Sequence, residues 1–285
     1  MTSLKDLTTP YFPNWCPGCG NLTIWAAFKN ACVAKGWDNT NSVLVAGIGC
    51  HGHIVNFTKI TSFEGLHGRA LPVAEGVKYV NNRLNVFVFT GDGDMLGEGG
   101  NHFIHACRRN HDLTVLLHDN AIYALTTGQT SPASQHGFKS KSTPAGNPDY
   151  PFPPLALAIA SGATFVARGF SGDIHGLTDL IIQANEHRGL AVIDILQPCV
   201  TFNNVCTHQF YQQNTYQLPA DYDHTNKITA FNKALEWGEK QIPLGLIYKE
   251  VKATAESQVP QISSQTLVSR QPTKPDLSKL FSKYY

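Results

Sequence analysis

Four short segments carry residue types able to do chemistry, and each directly follows an apolar run. They are Gly49-Cys50-His51-Gly52-His53, Gly91-Asp92-Gly93-Asp94, Asp119-Asn120-Ala121-Ile122-Tyr123 and Pro198-Cys199. In the second, the glycines let the backbone turn sharply and approach a phosphate closely. The helix expected just beyond it, over residues 97–109, offers free N–H groups to an anion. Asp92, Asn120 and the backbone carbonyl of Ile122 are hard oxygen donors of the kind that hold Mg²⁺, which would also hold the phosphates. A lone Gly-Asp-Gly is commonly a plain turn; an Asn at a second strand end makes the pattern far more specific.

The chain has seven cysteines. Cys16-Pro17-Gly18-Cys19 has the C-x-x-C spacing used by zinc sites, iron–sulfur clusters and redox dithiols. A thioredoxin-like dithiol follows a strand, and Pro10-Tyr11-Phe12-Pro13-Asn14-Trp15 does not read as one. A closed tetrahedral or cluster site needs four thiolates. Cys50 and Cys199 complete the set, with Cys206 in place of Cys199 as the open alternative. Cys32 and Cys107 fall inside expected helices and read as small buried apolar residues. Of the 12 histidines, His51, His53 and His67 stand out because they flank Cys50 or precede the Gly68-Arg69 turn. They are candidate catalytic, cofactor or substrate contacts. His102, His105 and His111 read as helix-surface residues, and Arg108 and Arg109 suit the last turn of a helix.

The elements that must position these groups follow from the hydrophobic pattern. Runs over 42–48, 85–90, 113–118, 164–166 and 190–196 read as strands, with helices over 21–35, 69–81, 97–109, 155–161 and 173–187. Continuous apolar strands alternating with helices predict a doubly wound, mostly parallel α/β sheet with helices on both faces. In such sheets, ligands bind outside the carboxyl ends of the strands. All four segments therefore converge on one edge. Residues 128–154, rich in Gly, Pro, Ser and Thr, form a loop long enough to expect a function. The expected division is a core over 1–205 and a C-terminal extension over 206–285, with a helix at 225–239, a strand at 244–250 and an extended tail containing Pro260, Pro272 and Pro275. The 285 residues carry 22 Lys plus Arg and 21 Asp plus Glu, a net charge of +1, which argues against a nucleic-acid or polybasic membrane partner. Only 15% of residues are charged, against about 25% in a typical soluble domain, so other subunits are expected to cover part of the surface. No apolar run is long enough for a membrane helix, and no secretory leader is visible at the start. The expected location is cytoplasmic, where cysteines serve metals or catalysis more than disulfides.

Trp15-Cys16-Pro17-Gly18-Cys19-Gly20, Gly47-Ile48-Gly49-Cys50, Gly65-Leu66-His67-Gly68-Arg69-Ala70, Gly91-Asp92-Gly93-Asp94, Gly99-Gly100-Asn101-His102 and the stretch from Tyr123 to Gly128-Gln129-Thr130-Ser131-Pro132 occur in that order. Together they resemble the β subunit of 2-oxoacid:ferredoxin oxidoreductases, the thiamine-diphosphate and [4Fe-4S] subunit, over residues 15–203. The resemblance implies the pyrophosphate-type domain of the thiamine-diphosphate-binding fold. It implies a [4Fe-4S] cluster on Cys16, Cys19, Cys50 and Cys199, and Mg²⁺ on Asp92, Asn120 and the Ile122 carbonyl. Thiamine diphosphate would be lined by Ile48, Gly49, Cys50, His51, His67, Gly93, Asp94, Ala124 and Leu125.

The implied activity is oxidative decarboxylation of a 2-oxoacid with coenzyme A to acyl-CoA and CO₂. Electrons would pass through the cluster to ferredoxin, and the reaction would be reversible as reductive carboxylation. Two segments depart from the usual family pattern. Cys50-His51-Gly52-His53 replaces Cys-Ser-Gly-Arg or Cys-Ser-Gly-Lys, and Thr126-Thr127-Gly128-Gln129 lacks the lysine many relatives carry. The run Gln197-Pro198-Cys199-Val200-Thr201-Phe202-Asn203 resembles the 2-oxoglutarate branch; pyruvate relatives more often continue Pro-Cys-Pro. The alternatives are a pyruvate:ferredoxin oxidoreductase β subunit and a non-redox thiamine-dependent decarboxylase subunit. Glu64, Glu75 and Glu98 are poorly placed to act on the aminopyrimidine. A separate α chain, alone or fused to a γ part, is therefore expected to supply the pyrimidine-binding domain in an (αβ)₂-type assembly.

Overall fold

Side chains alternate across the strands, yet both alternating sets are apolar. Along Asn85–Gly91 (β3), Val86 and Val88 enter one core while Phe87 and Phe89 enter the other. Leu190–Leu196 (β6) divides the same way. A sheet with two apolar faces must be covered on both. In this computed structural model, which describes residues 2–239, 241–271 and 276–284, helices do that. Gly20–Lys35 (α1) and Ile174–Glu186 (α6) cover one face. Phe28 of α1 meets Phe87 and Phe89 edge-on, each at 5.0 Å between ring centres. Ala70–Val80 (α3), Gly100–Arg109 (α4) and Pro154–Ser161 (α5) cover the other.

The remaining strands are Ser42–Ala46 (β1), Thr61–Glu64 (β2), Leu113–Asp119 (β4), Phe165–Phe170 (β5), Thr215–Gln217 (β7) and Ile242–Lys249 (β8). The sheet order is β2-β1-β3-β4-β6-β5-β8-β7. β1 to β6 pair parallel, and β8 joins β5 antiparallel. The carboxyl ends of β1, β3, β4 and β6 thus lie side by side, and the four chemistry-bearing segments leave from them.

Two elements were not legible. β2 is a short edge strand whose four residues are all exposed, so it has no apolar run to betray it. His208–Asn214 (α7) leads into the three-residue β7. The helix expected over 225–239 is confined to Lys227–Ala234 (α8). The helix expected from residue 97 begins instead as a π-helical turn, Gly93–Glu98, followed by α4. Beyond β8 the chain makes short helical turns across the core, with Ile262 and Glu256 buried; Pro272 and Pro275 lie outside the described residues. His111 is not a surface residue. It is fully buried, with Nδ1 2.6 Å from Glu256, and so anchors this C-terminal segment.

Candidate active site

The loop after β3 meets the loop after β4 at Asp92 and Asn120, both buried. The Ser131 hydroxyl donates to Asp92. Ser131 itself is held by Ser134, which also donates to the Ala121 carbonyl at 2.6 Å. Asn203 Nδ2 donates to the Asn120 carbonyl at 3.0 Å, and Asn120 Oδ1 accepts the Ile122 N–H at 3.1 Å. Burial pushes the Asp92 carboxyl up to about 7, against the lowering effect of Ser131 and backbone N–H groups. Burial, then the charges of Asp92 and Asp194, push Asp119 well above the ordinary range. Two buried carboxylates short of positive charge, beside an amide oxygen and a backbone carbonyl, are the chemical complement of a hard divalent cation. The residues therefore fit Mg²⁺ with a diphosphate, with Asp92, Asn120 and the Ile122 carbonyl as its protein donors.

Asp94 does a different job. Its Oδ1 accepts from the N–H of Ile48 at 3.0 Å, the N–H of Gly68 at 2.7 Å and His67 Nδ1 at 2.8 Å. Its Oδ2 accepts from Thr90 Oγ1 at 2.7 Å and lies 3.7 Å from His51 Nε2. Burial alone would raise this carboxyl; His51, the Gly68 N–H and Thr90 outweigh it and hold Asp94 well below the usual range. The side chain is saturated, so it ties the β1 loop, the His67 turn and β3 together around the cradle. Gly47 is required here, because any Cβ at that position would overlap the Asp94 carboxylate.

The cradle so built is lined by Ile48, Gly49, Cys50, His51, His67, Asp92, Gly93, Asp94, Ala124 and Leu125, among others. His51 is buried, and its ring lies 5.8 Å from that of His118, a neighbour the sequence did not single out. Burial, then His51, pushes His118 well below its ordinary value, so it stays neutral. Tyr123 closes one side, its hydroxyl donating to Glu98 at 3.2 Å. Ser131, Ser134 and Asn203 were also missed, since small polar residues in a loop carry no local signal of what they will touch.

A second cavity, of about 310 Å³, shares Cys50, Asn120, Ala124 and Leu125 with the cradle and is lined by Cys16, Cys19, Cys50 and Cys199. His53 lines this cavity, away from His51 and His67. Cys206 points elsewhere, into an apolar cluster with Phe170, Tyr211 and Leu244. Cys32 and Cys107 are fully buried within α1 and α4. Among the described residues, no three His, Cys, Asp or Glu side chains stand close enough to hold a single metal ion. Four thiols spaced around a cavity fit a polynuclear group with its own volume better than one ion. Burial, then Cys19, Cys199 and Cys16, push the Cys50 thiol up to about 12, so a thiolate there requires a cation among the four.

A parallel sheet with a diphosphate cradle at its carboxyl edge defines a thiamine-diphosphate enzyme domain. Residues 47–195 match the family described as thiamine pyrophosphate enzyme, C-terminal TPP binding domain. Residues 199–264 match the family of the C-terminal region of the pyruvate ferredoxin oxidoreductase beta chain. A 2-oxoacid:ferredoxin oxidoreductase subunit beta of Sulfolobus sp is 46% identical over 85% of this chain and 83% of its own. The 2-oxoglutarate synthase subunit KorB of Archaeoglobus fulgidus is 42% identical over 70% of this chain and 74% of its own. A solved 2-oxoglutarate:ferredoxin oxidoreductase from Magnetococcus marinus, with 2-oxoglutarate, coenzyme A and succinyl-CoA bound, superposes with a TM-score of 0.92 at 34% identity, covering 100% of this chain and 96% of that one. The chain belongs to the β subunits of the 2-oxoacid:ferredoxin oxidoreductases.

Proposed function

We propose that the chain is the β subunit of a 2-oxoglutarate:ferredoxin oxidoreductase. The reaction is 2-oxoglutarate plus coenzyme A plus two oxidised ferredoxins giving succinyl-CoA, CO₂, two reduced ferredoxins and a proton. The observation that carries the reading is the shared wall, Cys50 with Ala124 and Leu125, between the diphosphate cradle and the four-cysteine cavity. When bound, thiamine diphosphate supplies the nucleophilic carbon and electron sink for decarboxylation, and a [4Fe-4S] cluster supplies one-electron transfer. Asp92, Asn120 and the Ile122 carbonyl hold Mg²⁺ and through it the diphosphate. Asp94 orients His67, and His51 and His67 present ring nitrogens toward the cradle. Cys16, Cys19, Cys50 and Cys199 hold the cluster.

The cradle is incomplete by itself. Leu66 is 78% exposed at its edge, and Phe63 and Leu125 are also bare. Apolar groups left so beside a cofactor site are the seat of a partner. The α chain covers them and brings the acid for the aminopyrimidine, in an (αβ)₂-type complex. The isolated β chain is expected to turn over no 2-oxoacid, while the assembled complex does. An active monomer in an assay paired with native mass measurement overturns this arrangement.

The substrate test compares kcat/KM for 2-oxoglutarate and pyruvate in that complex, then repeats both with His53→Ala. His53, at the cavity adjoining the cradle, is assigned to the wall that meets the distal carboxylate. Its loss is expected to cost 2-oxoglutarate alone about 1–3 kcal/mol, the range for a hydrogen bond to a charged group. A wild-type preference for pyruvate removes the substrate assignment. An equal loss on both substrates removes the role of His53.

A further inference from the structure

We propose that the loop following β6 sets the reduction potential of the cluster, through Gln197 donating to Cys19 and Thr201 donating to Cys16. This rests on the assignment of Cys16, Cys19, Cys50 and Cys199 as cluster ligands. Gln197 Nε2 lies 3.6 Å from Cys19 Sγ, an ordinary N–H···S separation given the radius of sulfur. Thr201 Oγ1 lies 3.2 Å from Cys16 Sγ. The ligand Cys199 sits between the two donors in sequence. One loop therefore contributes a thiolate and also bonds both thiolates of the C-x-x-C pair.

The placement of Gln197 is specific. Its side chain is 1% exposed, and its backbone N–H donates to the Asp119 carbonyl at 2.8 Å, which fixes the loop to the end of β4. Gly20 leaves the passage open: a Cβ there would stand 2.5 Å from Gln197 Cγ and 2.7 Å from Ser171 Oγ. With a thiolate to satisfy, the amide turns its N–H toward Cys19 and its oxygen away. Reduction adds negative charge that spreads onto the sulfurs, so an N–H or O–H pointing at them favours the reduced state and raises the potential. The effect is largest where water is excluded. Gln197 is buried and Thr201 is exposed, so Gln197 carries the greater share. The alternative is that Gln197 merely fills a polar gap, and that role would leave the potential unmoved.

The test is an anaerobic redox titration, monitored by electron paramagnetic resonance, of the assembled wild-type complex and of complexes carrying Gln197→Met, Thr201→Val or Thr201→Ser. The signal followed is the one that Cys199→Ser removes, and iron and sulfide are measured in each sample. Gln197→Met keeps its length and loses its donor. With iron and sulfide retained, the ratio of reduced to oxidised cluster at the wild-type midpoint is expected to fall about tenfold, equal to about 59 mV for a one-electron couple. Thr201→Val is expected to shift the midpoint in the same direction by less, and Thr201→Ser to restore it. Intact clusters with unchanged or raised midpoints in Gln197→Met and Thr201→Val overturn the proposal. If Gln197→Met fails to assemble, the Thr201 pair decides by the same criterion. A wild-type complex without iron and sulfide overturns the cluster assignment itself, a result distinct from an unmoved midpoint.

Discussion

An Asp92→Ala complex is expected to purify without thiamine diphosphate or Mg²⁺ and to lose activity by ~10³-fold or more, the scale of the several kcal/mol that a bound metal supplies. Asp92 is the one carboxylate in the proposed donor set; Asn120 and the Ile122 carbonyl are neutral. Removing it leaves the ion to compensate the diphosphate with no charged protein ligand. It also strands the Ser131 hydroxyl, which donates to Asp92 in a site closed to water. Asp92→Asn separates these effects, since the amide oxygen still accepts from Ser131 while the charge is gone. Both variants are expected to lose the cofactor, and Asp92→Asn to keep the wild-type melting temperature of the cofactor-free chain more closely. Thiamine and magnesium analysis of the purified complexes checks this. Normal cofactor content and turnover in Asp92→Ala would remove the site.

The parts of this arrangement visible in the sequence are those with a local signal. Strands β1, β3, β4 and β6 announce themselves as apolar runs because both faces are buried, and the convergence of their trailing loops follows from parallel pairing. What stayed hidden depends on contacts between distant residues. Ser131 reaches Asp92 across 39 positions, and Glu256 reaches His111 across 145. His111 follows Arg108, Arg109 and Asn110, a polar helix end that reads as surface until the C-terminal segment folds over it. The π-helical turn at Gly93–Glu98 was hidden for another reason. Its five-residue hydrogen-bond spacing is imposed by Asp94, whose side chain is drawn back to the β1 loop and the His67 turn.

The choice between Cys199 and Cys206 shows how far one local contact can redirect a chain, and it sets the second large effect. The two cysteines are seven positions apart, and spacing cannot separate them as fourth ligand. Asn203 lies between them. Its Oδ1 accepts the N–H groups of Val205 at 3.0 Å and Cys206 at 2.9 Å, while its Nδ2 holds the Asn120 carbonyl. The turn so formed leaves Cys199 facing the other three cysteines and carries Cys206 into the layer of Phe170 and Tyr211. There, burial pushes its thiol up to about 11, the state of an inert structural cysteine. Cys16→Ser and Cys199→Ser are therefore expected to abolish the broad visible absorption of the cluster, its iron and sulfide, and ferredoxin reduction. Cys206→Ser and Cys32→Ser are expected to keep all three. The serine variants change one atom each, so loss of packing does not account for a bleached protein. Bleaching by Cys206→Ser with colour retained in Cys199→Ser would transfer the ligand to Cys206. It would also require the Asn203 turn to open, so that Asn203→Ala, otherwise expected to loosen Asn120 and weaken thiamine binding, would strengthen cluster retention instead.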